Sequence, residues 1–531
     1  MFYDFNNAEE SSGYNVCNAR GACSITPRIT SLQEVILIFL KHLSFYTLKL
    51  KNFGVEVEKQ TSTIIKGLAS IISSADYTDE QMLDIIGMYY SLYIKTRNLY
   101  KTECQNLDME CEELKFGIKI TPQMSLSGVI SQGEKMFLEK YNNVSTTQRN
   151  MTEILLFVLK SLCINLLELK SYGESDESAE REVLKGLEIL GSKRLHAQKL
   201  KEKIEKIVMC DNNILKKLSE TQISNFGEIS EVSVSKTTTK GKAILVSGSS
   251  LVDLRELLAQ TQGKDIDIYT HGDLLIAHAF RVFEKNENLK GHYGDCSENC
   301  ILDFATFPGA IILTRNSYQN IEYLYRGRLF TMDDLKPNGV VKLEGNDFSP
   351  LINSALNAKG FAKGRTYPDV KIGCNLPELA KKFDKLVEDI SNGKIEKLLI
   401  IGHSNGGFSQ SEYFSQLFKH LDRKIFVLSF SQSVKSEIGL TINLANNLPS
   451  IYSVLKELFS RIPITSDKLS IVIARCDVIS IAHMISLKKK GAKNIFLSNC
   501  QPKINPSITE TLEKMYDIRL LSTAEKDAKL I

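Results

Sequence analysis

Through roughly the first 220 residues, apolar side chains recur with the 3.6-residue period of an α-helix. The clearest stripe is formed by leucines at positions 155, 159, 162 and 166. Ser31 with Glu34 has the spacing of a capping box at a helix start. Thr78 with Gln81 has the same spacing, and Gly54 is typical of a helix end. Several long helices joined by short links predict a helical bundle.

After about residue 240 the pattern changes to short β-rich runs, most of them separated by helical stretches. The runs are Ala243–Val246, Ile266–Tyr269, Ile311–Leu313, Leu398–Ile401, Ile425–Leu428, Ile471–Ala474 and Ile495–Leu497. This alternation predicts mostly parallel sheets with helical crossovers. A stretch rich in glycine, lysine and proline at 359–377 divides this half in two. We therefore predict an N-terminal helical bundle domain, 1–235, followed by two Rossmann-like α/β domains, 236–358 and 359–531.

Composition indicates an ordinary globular protein with more than one core, since 43% of the 531 residues are hydrophobic and 24% are charged. The formal net charge of +3 gives no electrostatic reason to expect nucleic acid as a partner. The most apolar stretch, 151–169, contains Glu153 and Lys160, so we expect a buried helix and no membrane contact. Residues 1–13 lack the apolar core of a signal peptide, and the 11 cysteines have no framework spacing. We expect free thiols in a reducing cytoplasm.

Four of the predicted strands end in a turn that carries a polar residue. These turns are LVSGSS at 245–250, IYTHGD at 268–273, ILTRNS at 312–317 and IIGHSNGG at 400–407. Open α/β sheets bind ligands just past the carboxyl ends of their strands. The polar residues in these turns therefore decide what chemistry the protein supports. His271, in the second turn, is expected to be satisfied by the backbone and not to bind a metal.

Ser404 is a candidate nucleophile, because Gly402-His403-Ser404-Asn405-Gly406 after a strand matches the G-x-S-x-G turn of α/β-hydrolases. Such an enzyme needs an acid and a histidine later in the chain. Asp477 is a candidate acid, but His483, six residues later, is badly placed to bridge acid and serine. A tight glycine turn between strand and helix is the preferred interpretation.

The residues alone predict no complete metal site. Cys17 and Cys23 are two thiols, whereas a four-iron cluster needs four thiolates. Cys296 and Cys300 are four residues apart, and His292 alone does not complete a zinc site with them.

Several segments of the chain, taken together and in order, resemble those of the hybrid cluster proteins, also called prismane proteins or hydroxylamine reductases. The matching segments are VCNARGAC at 16–23, ILVSGSSLVDLRELLAQTQGKDIDIYTHGDLLIAH at 244–278, GHYG at 291–294, FPGAIILTRNS at 307–317, DFSP at 347–350, IGHSNGG at 401–407 and GAKNIFLSNCQPKINPSI at 491–508. The resemblance covers most of the chain. It implies a helical N-terminal domain with two smaller α/β domains. It also implies a four-cysteine iron–sulfur cluster near the N-terminus and a mixed iron–sulfur–oxygen cluster that reduces hydroxylamine or nitric oxide.

The N-terminal cluster motif of that family is incomplete in this sequence. The family begins with C-x-x-C and continues with two later cysteines. Here Cys17 and Cys23 match the later pair, whereas Tyr3 and Asn6 stand at the first pair. The helical domain therefore carries only a remnant of the motif.

The hybrid-cluster motif departs further from the family. By resemblance, the histidine, the two glutamates and the four cysteines of the family correspond here to Ser249, to Asp273 and Asp477, and to Ser317, Ser404, Gln432 and Leu448. Iron–sulfur assembly needs soft thiolates, which serine, glutamine and leucine do not supply. We therefore expect no iron–sulfur or hybrid-cluster cofactor. The expected result is an emptied cavity filled by water and repacked side chains. A weak magnesium or calcium site formed by the oxygen-bearing residues is the alternative.

These departures predict a non-catalytic pseudoenzyme with a structural or partner-binding role, whose protein partner is unknown. One alternative is a residual hydroxylamine or nitric oxide reductase that uses Cys17 and Cys23 with thiols of another chain. A second is a serine hydrolase at Ser404, and a third is a small-molecule sensor that uses the old cavity.

Overall fold

The computed structural model describes residues 27–69, 78–112, 114, 125–140, 144–191, 196–294, 300–315, 323–333, 336, 339–402, 408–430, 434, 439–475, 477–498 and 506–531. By their packing these residues form two compact units. The first comprises Met1–Ile214, Asp477–Ser486 and Pro502–Tyr516, and the second Leu215–Cys476, Leu487–Gln501 and Asp517–Ile531. The predicted domain boundaries at 235 and 358 stay a prediction.

The N-terminal part of the chain is helical, as its apolar period predicts. Its helices are α1 (Pro27–Asn52), α2 (Glu58–Ala69), α3 (Asp79–Asn106), α4 (Leu126–Lys140), α5 (Thr146–Ser171), α6 (Glu177–Leu190) and α7 (Ala197–Phe226). The capping box at Thr78 is confirmed, because its side chain accepts from the backbone of Gln81 and the Gln81 side chain accepts in return. Gly54, with φ +80°, follows the end of α1 as predicted.

The predicted helix start at Ser31 is wrong. Ser31 and Glu34 lie inside α1 and are 0% and 1% exposed. Helix α1 is buried on all sides because α2, α3, α4 and α6 pack around it, so polar residues in its interior contact other helices instead of capping. Burial, together with the positive charges of Lys41 and Arg97, lowers the pKa of His42 on this helix to about 4.

Helix α5 confirms the prediction of a buried helix over 151–169, since most of its side chains from Met151 to Leu169 are inaccessible. Helix α17 (Pro506–Tyr516), from the far end of the chain, packs against α5 in the same unit. Asn150 on α5 donates to the Ser507 carbonyl at 2.7 Å and to Thr511 Oγ1 at 3.0 Å. Within the described residues, no helix is both long enough and apolar enough to cross a bilayer.

The second half of the chain forms two parallel sheets of six strands each. The first contains β2 (Ala243–Ser247), β3 (Asp267–His271), β4 (Leu289–His292), β5 (Ala310–Leu313), β6 (Leu329–Thr331) and β7 (Val341–Lys342). The second contains β9 (Lys397–Gly402), β10 (Ile425–Ser429), β11 (Gly439–Thr441), β12 (Leu469–Ile473), β13 (Asn494–Leu497) and β14 (Ile518–Leu520). A separate antiparallel pair joins β1 (Val232–Val234) to β8 (Val370–Ile372). All seven predicted strands are present.

Helices connect the strands of both sheets. The first sheet carries α8 (Leu251–Thr261), a 3₁₀-helix (Gly272–Ala279), α9 (Arg281–Glu284), α10 (Cys300–Thr306), α11 (Tyr323–Arg326) and α12 (Ser349–Asn357). Along the second sheet the chain forms α13 (Leu376–Ser391), α14 (Phe408–His420), α15 (Leu448–Phe459), α16 (Val478–Lys489), α17 and α18 (Ala524–Leu530).

Both sheets have the strand order of a doubly wound Rossmann fold. Their orders are β4-β3-β2-β5-β6-β7 and β11-β10-β9-β12-β13-β14, and every pairing in them is parallel. In each sheet the order of successive strands changes direction between two neighbouring strands. These are β2 and β5 in the first sheet, and β9 and β12 in the second. The crevice past the carboxyl ends of those strands is where such folds bind ligands. The predicted fold class, a helical bundle followed by two Rossmann-like α/β parts, is confirmed.

Candidate functional site

In chain order, the seven positions that the sequence predicts as hybrid-cluster remnants each come after a strand of one of the two parallel sheets. Ser249 follows β2, Asp273 β3, Ser317 β5, Ser404 β9, Gln432 β10, Leu448 β11 and Asp477 β12. Ser317, Ser404 and Gln432 lie outside the described residues, as do Tyr3, Asn6, Cys17, Cys23 and Cys296. The structure therefore describes four of the seven positions, Ser249, Asp273, Leu448 and Asp477.

Ser249 lies at the switch point of the first sheet. Strand β2 ends at Ser247, and the chain turns at Gly248, whose φ of +130° favours glycine. The backbone N–H groups of Ser249 and Ser250 both donate to Thr314 Oγ1 at 3.3 Å, just past β5. The Ser250 hydroxyl caps α8, whereas the side chain of Ser249 is exposed. The neutral hydroxyl of Ser249 is thus presented at the edge where a ligand would bind.

An ion pair between a buried aspartate and a partly exposed arginine lies at the same edge, and the sequence does not reveal it. Asp253, in the first turn of α8, is 1% exposed. Its two carboxylate oxygens accept from the backbone N–H and from Nε of Arg315, each at 2.7 Å. Arg315 also donates to Asn346 Oδ1 at 3.2 Å. The arginine that follows β5 therefore takes part in a structural ion pair that joins α8 to the end of β5.

Asp273 begins the 3₁₀-helix that follows β3. Gly272, with φ +64°, turns the chain directly before it, and the aspartate is half-buried. Strands β2 and β3 are neighbours in register, so Ser249 and Asp273 lie at the same edge of the sheet. A hydroxyl and a carboxylate are hard oxygen donors.

A serine, a histidine and an aspartate form a chain of contacts at this sheet edge. Ser247 Oγ lies 2.9 Å from His271 Nδ1, and His271 Nε2 lies 3.3 Å from Asp303 Oδ2. The residue types are those of a hydrolytic triad, but the two ring nitrogens are exchanged, since in a triad the serine contacts Nε2 and the acid contacts Nδ1. Ser247 and His271 are, however, 0% and 1% exposed, so no substrate carbonyl reaches the hydroxyl. The contacts instead tie β2, β3 and α10 together. Both ring nitrogens of His271 contact side-chain oxygens, whereas backbone partners are expected from the sequence.

Two further buried histidines meet at Thr270. The Thr270 hydroxyl lies 3.0 Å from His278 Nε2 and 3.0 Å from His292 Nδ1. Burial lowers the pKa of His278 to about 4. Burial and the neighbouring His271, His278 and Lys236 hold the pKa of His292 well below its ordinary value. Both rings are neutral near pH 7. No three histidine, cysteine, aspartate or glutamate side chains converge to hold a metal ion in the described part of the chain.

Leu448 and Asp477 each belong to the start of a helix. Leu448 opens α15, whose N-cap Asn447 accepts from the backbone of Ser450 at 3.0 Å. Asp477 precedes α16, and its Oδ1 accepts from the Ser480 backbone N–H at 2.8 Å. One carboxylate oxygen of Asp477 therefore serves as a helix cap. The hydrolase interpretation that pairs Asp477 with Ser404 stays a prediction.

The described donors do not fit an iron–sulfur cluster at this edge. Such clusters need several thiolates. The free thiols among the described residues are Cys104, Cys111, Cys163, Cys210, Cys300 and Cys374. The first four lie in the N-terminal part of the chain, Cys300 begins α10, and Cys374 follows β8 of the antiparallel pair. Of these thiols, only Cys300 comes after a strand of a parallel sheet, since α10 follows β4 in the chain. Cys476 and Cys500, which come after β12 and β13 in the sequence, lie outside the described residues.

Comparison with known proteins identifies the family to which this chain belongs. A solved structure whose title describes NiZn[Fe4S4] and NiNi[Fe4S4] clusters in alpha subunits of acetyl-CoA synthase/carbon monoxide dehydrogenase covers 95% of this chain, with 81% of its own length aligned, 11% identity and a TM-score of 0.48. Hydroxylamine reductase of Syntrophobacter fumaroxidans (strain DSM 10017 / MPOB) is 25% identical over 541 residues, which cover 98% of each chain. The resemblance inferred from the motifs is thereby confirmed. The family model described as Prismane/CO dehydrogenase family matches residues 12–431, and this chain therefore belongs to that family.

Proposed function

We propose that this prismane-family chain works without the hybrid cluster, as a structural or partner-binding protein and not as a hydroxylamine reductase. The observation that carries the proposal is the set of side chains at the seven remnant positions, which come after parallel strands in the chain. The described ones are Ser249, Asp273, Leu448 and Asp477. They comprise a neutral hydroxyl, two carboxylates and an alkyl group.

The chemistry of these groups argues against cluster assembly. Thiolates bind iron in such clusters, and a serine hydroxyl stays protonated near pH 7. Leu448 has no lone pair to donate. Asp477 already uses one carboxylate oxygen to cap α16. Residues at the remaining positions, Ser317, Ser404 and Gln432, add hydroxyls and an amide but no thiol.

The proposed partner is another protein. A formal charge of +3 over 531 residues is too small to drive binding to a phosphate backbone. The reducing cytoplasm is the expected compartment, because the cysteines have no framework spacing.

The test is iron and acid-labile sulfide content, visible absorption and hydroxylamine turnover with a reduced viologen donor. Protein purified anaerobically is compared with the Syntrophobacter fumaroxidans relative prepared in the same way. We expect a colourless sample with substoichiometric iron and no turnover, next to a coloured and active relative.

Stoichiometric iron with sulfide, accompanied by turnover, would overturn the proposal. In that event a Cys17→Ser, Cys23→Ser double variant separates two explanations. Loss of iron in the variant would assign the cluster to the remnant N-terminal motif. Retention of iron would assign it to other thiols.

A further inference from the structure

Two cysteines lie together at the end of α3. Cys104, in the last turn of the helix, is 1% exposed. Cys111, seven residues later, is half-buried and packs against the apolar cluster that contains Cys104. Both are free thiols. This cysteine pair is remote in sequence from the turns considered above and has no part in the proposed function.

The end of α3 brings the pair together through a tight chain reversal. Asp108 adopts a left-handed conformation, with φ +50°. Its N–H donates to the Gln105 carbonyl at 3.2 Å, and the next N–H, of Met109, donates to the Cys104 carbonyl at 2.9 Å. These two bonds define a Schellman motif, which turns the chain back over the last helical turn. The reversal directs Cys111 towards Cys104.

A second anchor holds the returning segment in place. The backbone N–H of Glu112 donates to the hydroxyl of Tyr100, one turn before Cys104, at 3.0 Å. The Glu112 carboxylate also pairs with Lys49 Nζ of α1 at 2.6 Å. A hydrogen bond with the Cys104 thiol, together with burial, raises the pKa of the Cys111 thiol. Burial, followed by a hydrogen bond with Cys104, raises the pKa of Tyr100 to about 12.

We propose that Cys104 and Cys111 form a redox-sensitive dithiol that closes to an intramolecular disulfide when a small oxidised disulfide, such as oxidised glutathione, is present. A disulfide requires two Cβ atoms close together, and the chain reversal packs Cys111 against the cluster that contains Cys104. Transient, redox-sensing disulfides of this kind also occur in reducing compartments.

The reaction balances through thiol–disulfide exchange. The half-buried Cys111 thiolate attacks one sulfur of oxidised glutathione, and one glutathione thiolate leaves. Cys104 then loses its proton and attacks Sγ of Cys111, so that the mixed disulfide breaks and a second glutathione thiolate leaves. The two protein thiols lose two protons and two electrons, and one oxidised glutathione becomes two reduced molecules.

The order of attack follows from exposure. Cys104 is enclosed, so it reacts only within the chain, whereas Cys111 is reachable from solvent. The attacking species is the thiolate. The rate of closure is therefore expected to rise with pH above neutrality.

The experiment uses the full-length protein with glutathione redox buffers, followed by alkylation of free thiols and tryptic mass spectrometry. The peptide Thr102–Lys115 contains both cysteines and no others. In oxidising buffer we expect this peptide to be two hydrogen atoms lighter and to carry no alkyl label. The equilibrium constant for closure is expected to be at least about tenfold larger in the native protein than in concentrated urea, because the fold holds the pair together.

Three variants sharpen the test. Cys104→Ser is expected to stop at a glutathione adduct on Cys111, and Cys111→Ser to leave Cys104 reduced. Cys210→Ser, a control at another half-buried thiol, is expected to leave closure unchanged. The proposal is overturned if the wild-type peptide keeps both thiols, stops at the adduct, or closes no better in native protein than in urea. The native-to-urea comparison needs no variant to fold.

Discussion

Replacing Asp211 with asparagine is expected to remove a loss of stability that the wild-type protein undergoes as pH rises towards neutrality. Asp211, on α7, is 2% exposed. Its carboxyl oxygens accept from Ser161 Oγ at 2.6 Å and from Asn165 Nδ2 at 2.7 Å, both on α5. Burial raises the pKa of this carboxyl to about 6, while the two hydrogen bonds oppose the rise. Asparagine has nearly the same shape and carries no charge.

The sign follows from proton binding. The ordinary pKa of the group is 3.8, so between pH 3.8 and about 6 the folded state holds this proton more often than the unfolded chain does. The contribution to stability is complete below the unfolded pKa and is lost as pH rises through the folded pKa. At about 1.4 kcal/mol per pKa unit, the loss above pH 6 is about 3 kcal/mol at most. We expect Asp211→Asn to be about 1–3 kcal/mol more stable than wild type at pH 7.5, with a smaller difference at pH 4.

The assay is urea unfolding followed by far-ultraviolet circular dichroism across this pH interval, since the chain contains no tryptophan to report by fluorescence. Hydrogen exchange of α5 and α7 amides localises the effect. Asp84→Asn, which neutralises an exposed carboxylate on α3, serves as the control and is expected to show the same dependence of stability on pH as wild type. Ser161→Ala removes a hydrogen bond that lowers the pKa and is expected to move the transition to higher pH. Parallel profiles for wild type and Asp211→Asn would show that another group titrates and that the reasoning is wrong.

Substitutions at three other positions test the α/β part and the helix starts. Gly294→Ala places a Cβ 2.3 Å from Asp303 Oδ2 at φ +86° and is expected to cost about 1–3 kcal/mol in urea unfolding. Asp477→Ala removes the α16 cap and is expected to lower the free energy of unfolding by about 1 kcal/mol. Asp477→Asn retains a capping oxygen, so an equal loss of stability in both variants would contradict the capping role. The pKa of His278 is lowered to about 4, so the folded state binds fewer protons than the unfolded chain and stability falls as pH drops from 6.5 towards 4. His278→Gln is expected to flatten that fall in thermal unfolding, and an unchanged slope would assign it to other groups.

The regular elements of this protein are largely determined by its sequence. The leucine stripe at 155–166 places α5, and all seven apolar β-rich runs correspond to strands. These elements bury one face or both, so the spacing of their apolar residues predicts which side chains are buried. The capping box at Thr78 is equally local, since the partner Gln81 is three residues away.

Seven short strands and the environment of α1 could not be read in this way. Strands β1, β4, β6, β7, β8, β11 and β14 are two to four residues long. Runs of that length show no period, so they are recognised only from consecutive apolar residues, as β5 and β13 are. Pairing with neighbouring strands defines the other seven. The capping motif at Ser31 with Glu34 is misleading because other helices surround α1, and local spacing contains no information about that packing.

Local sequence is sufficient to place Ser249, Asp273 and Asp477 after strands, because each lies a few residues beyond an apolar run that the sequence shows. Leu448 follows β11, a strand that the sequence does not show. Only the tertiary structure decided which groups meet. Ser247 and His271 are 24 residues apart, His271 and Asp303 are 32 apart, and Ser161 and Asp211 are 50 apart. Their contacts depend on strand order and helix packing, which bring distant segments within hydrogen-bond distance. Burial in that packing, and not residue type, lowers the pKa of His278 and raises that of Asp211.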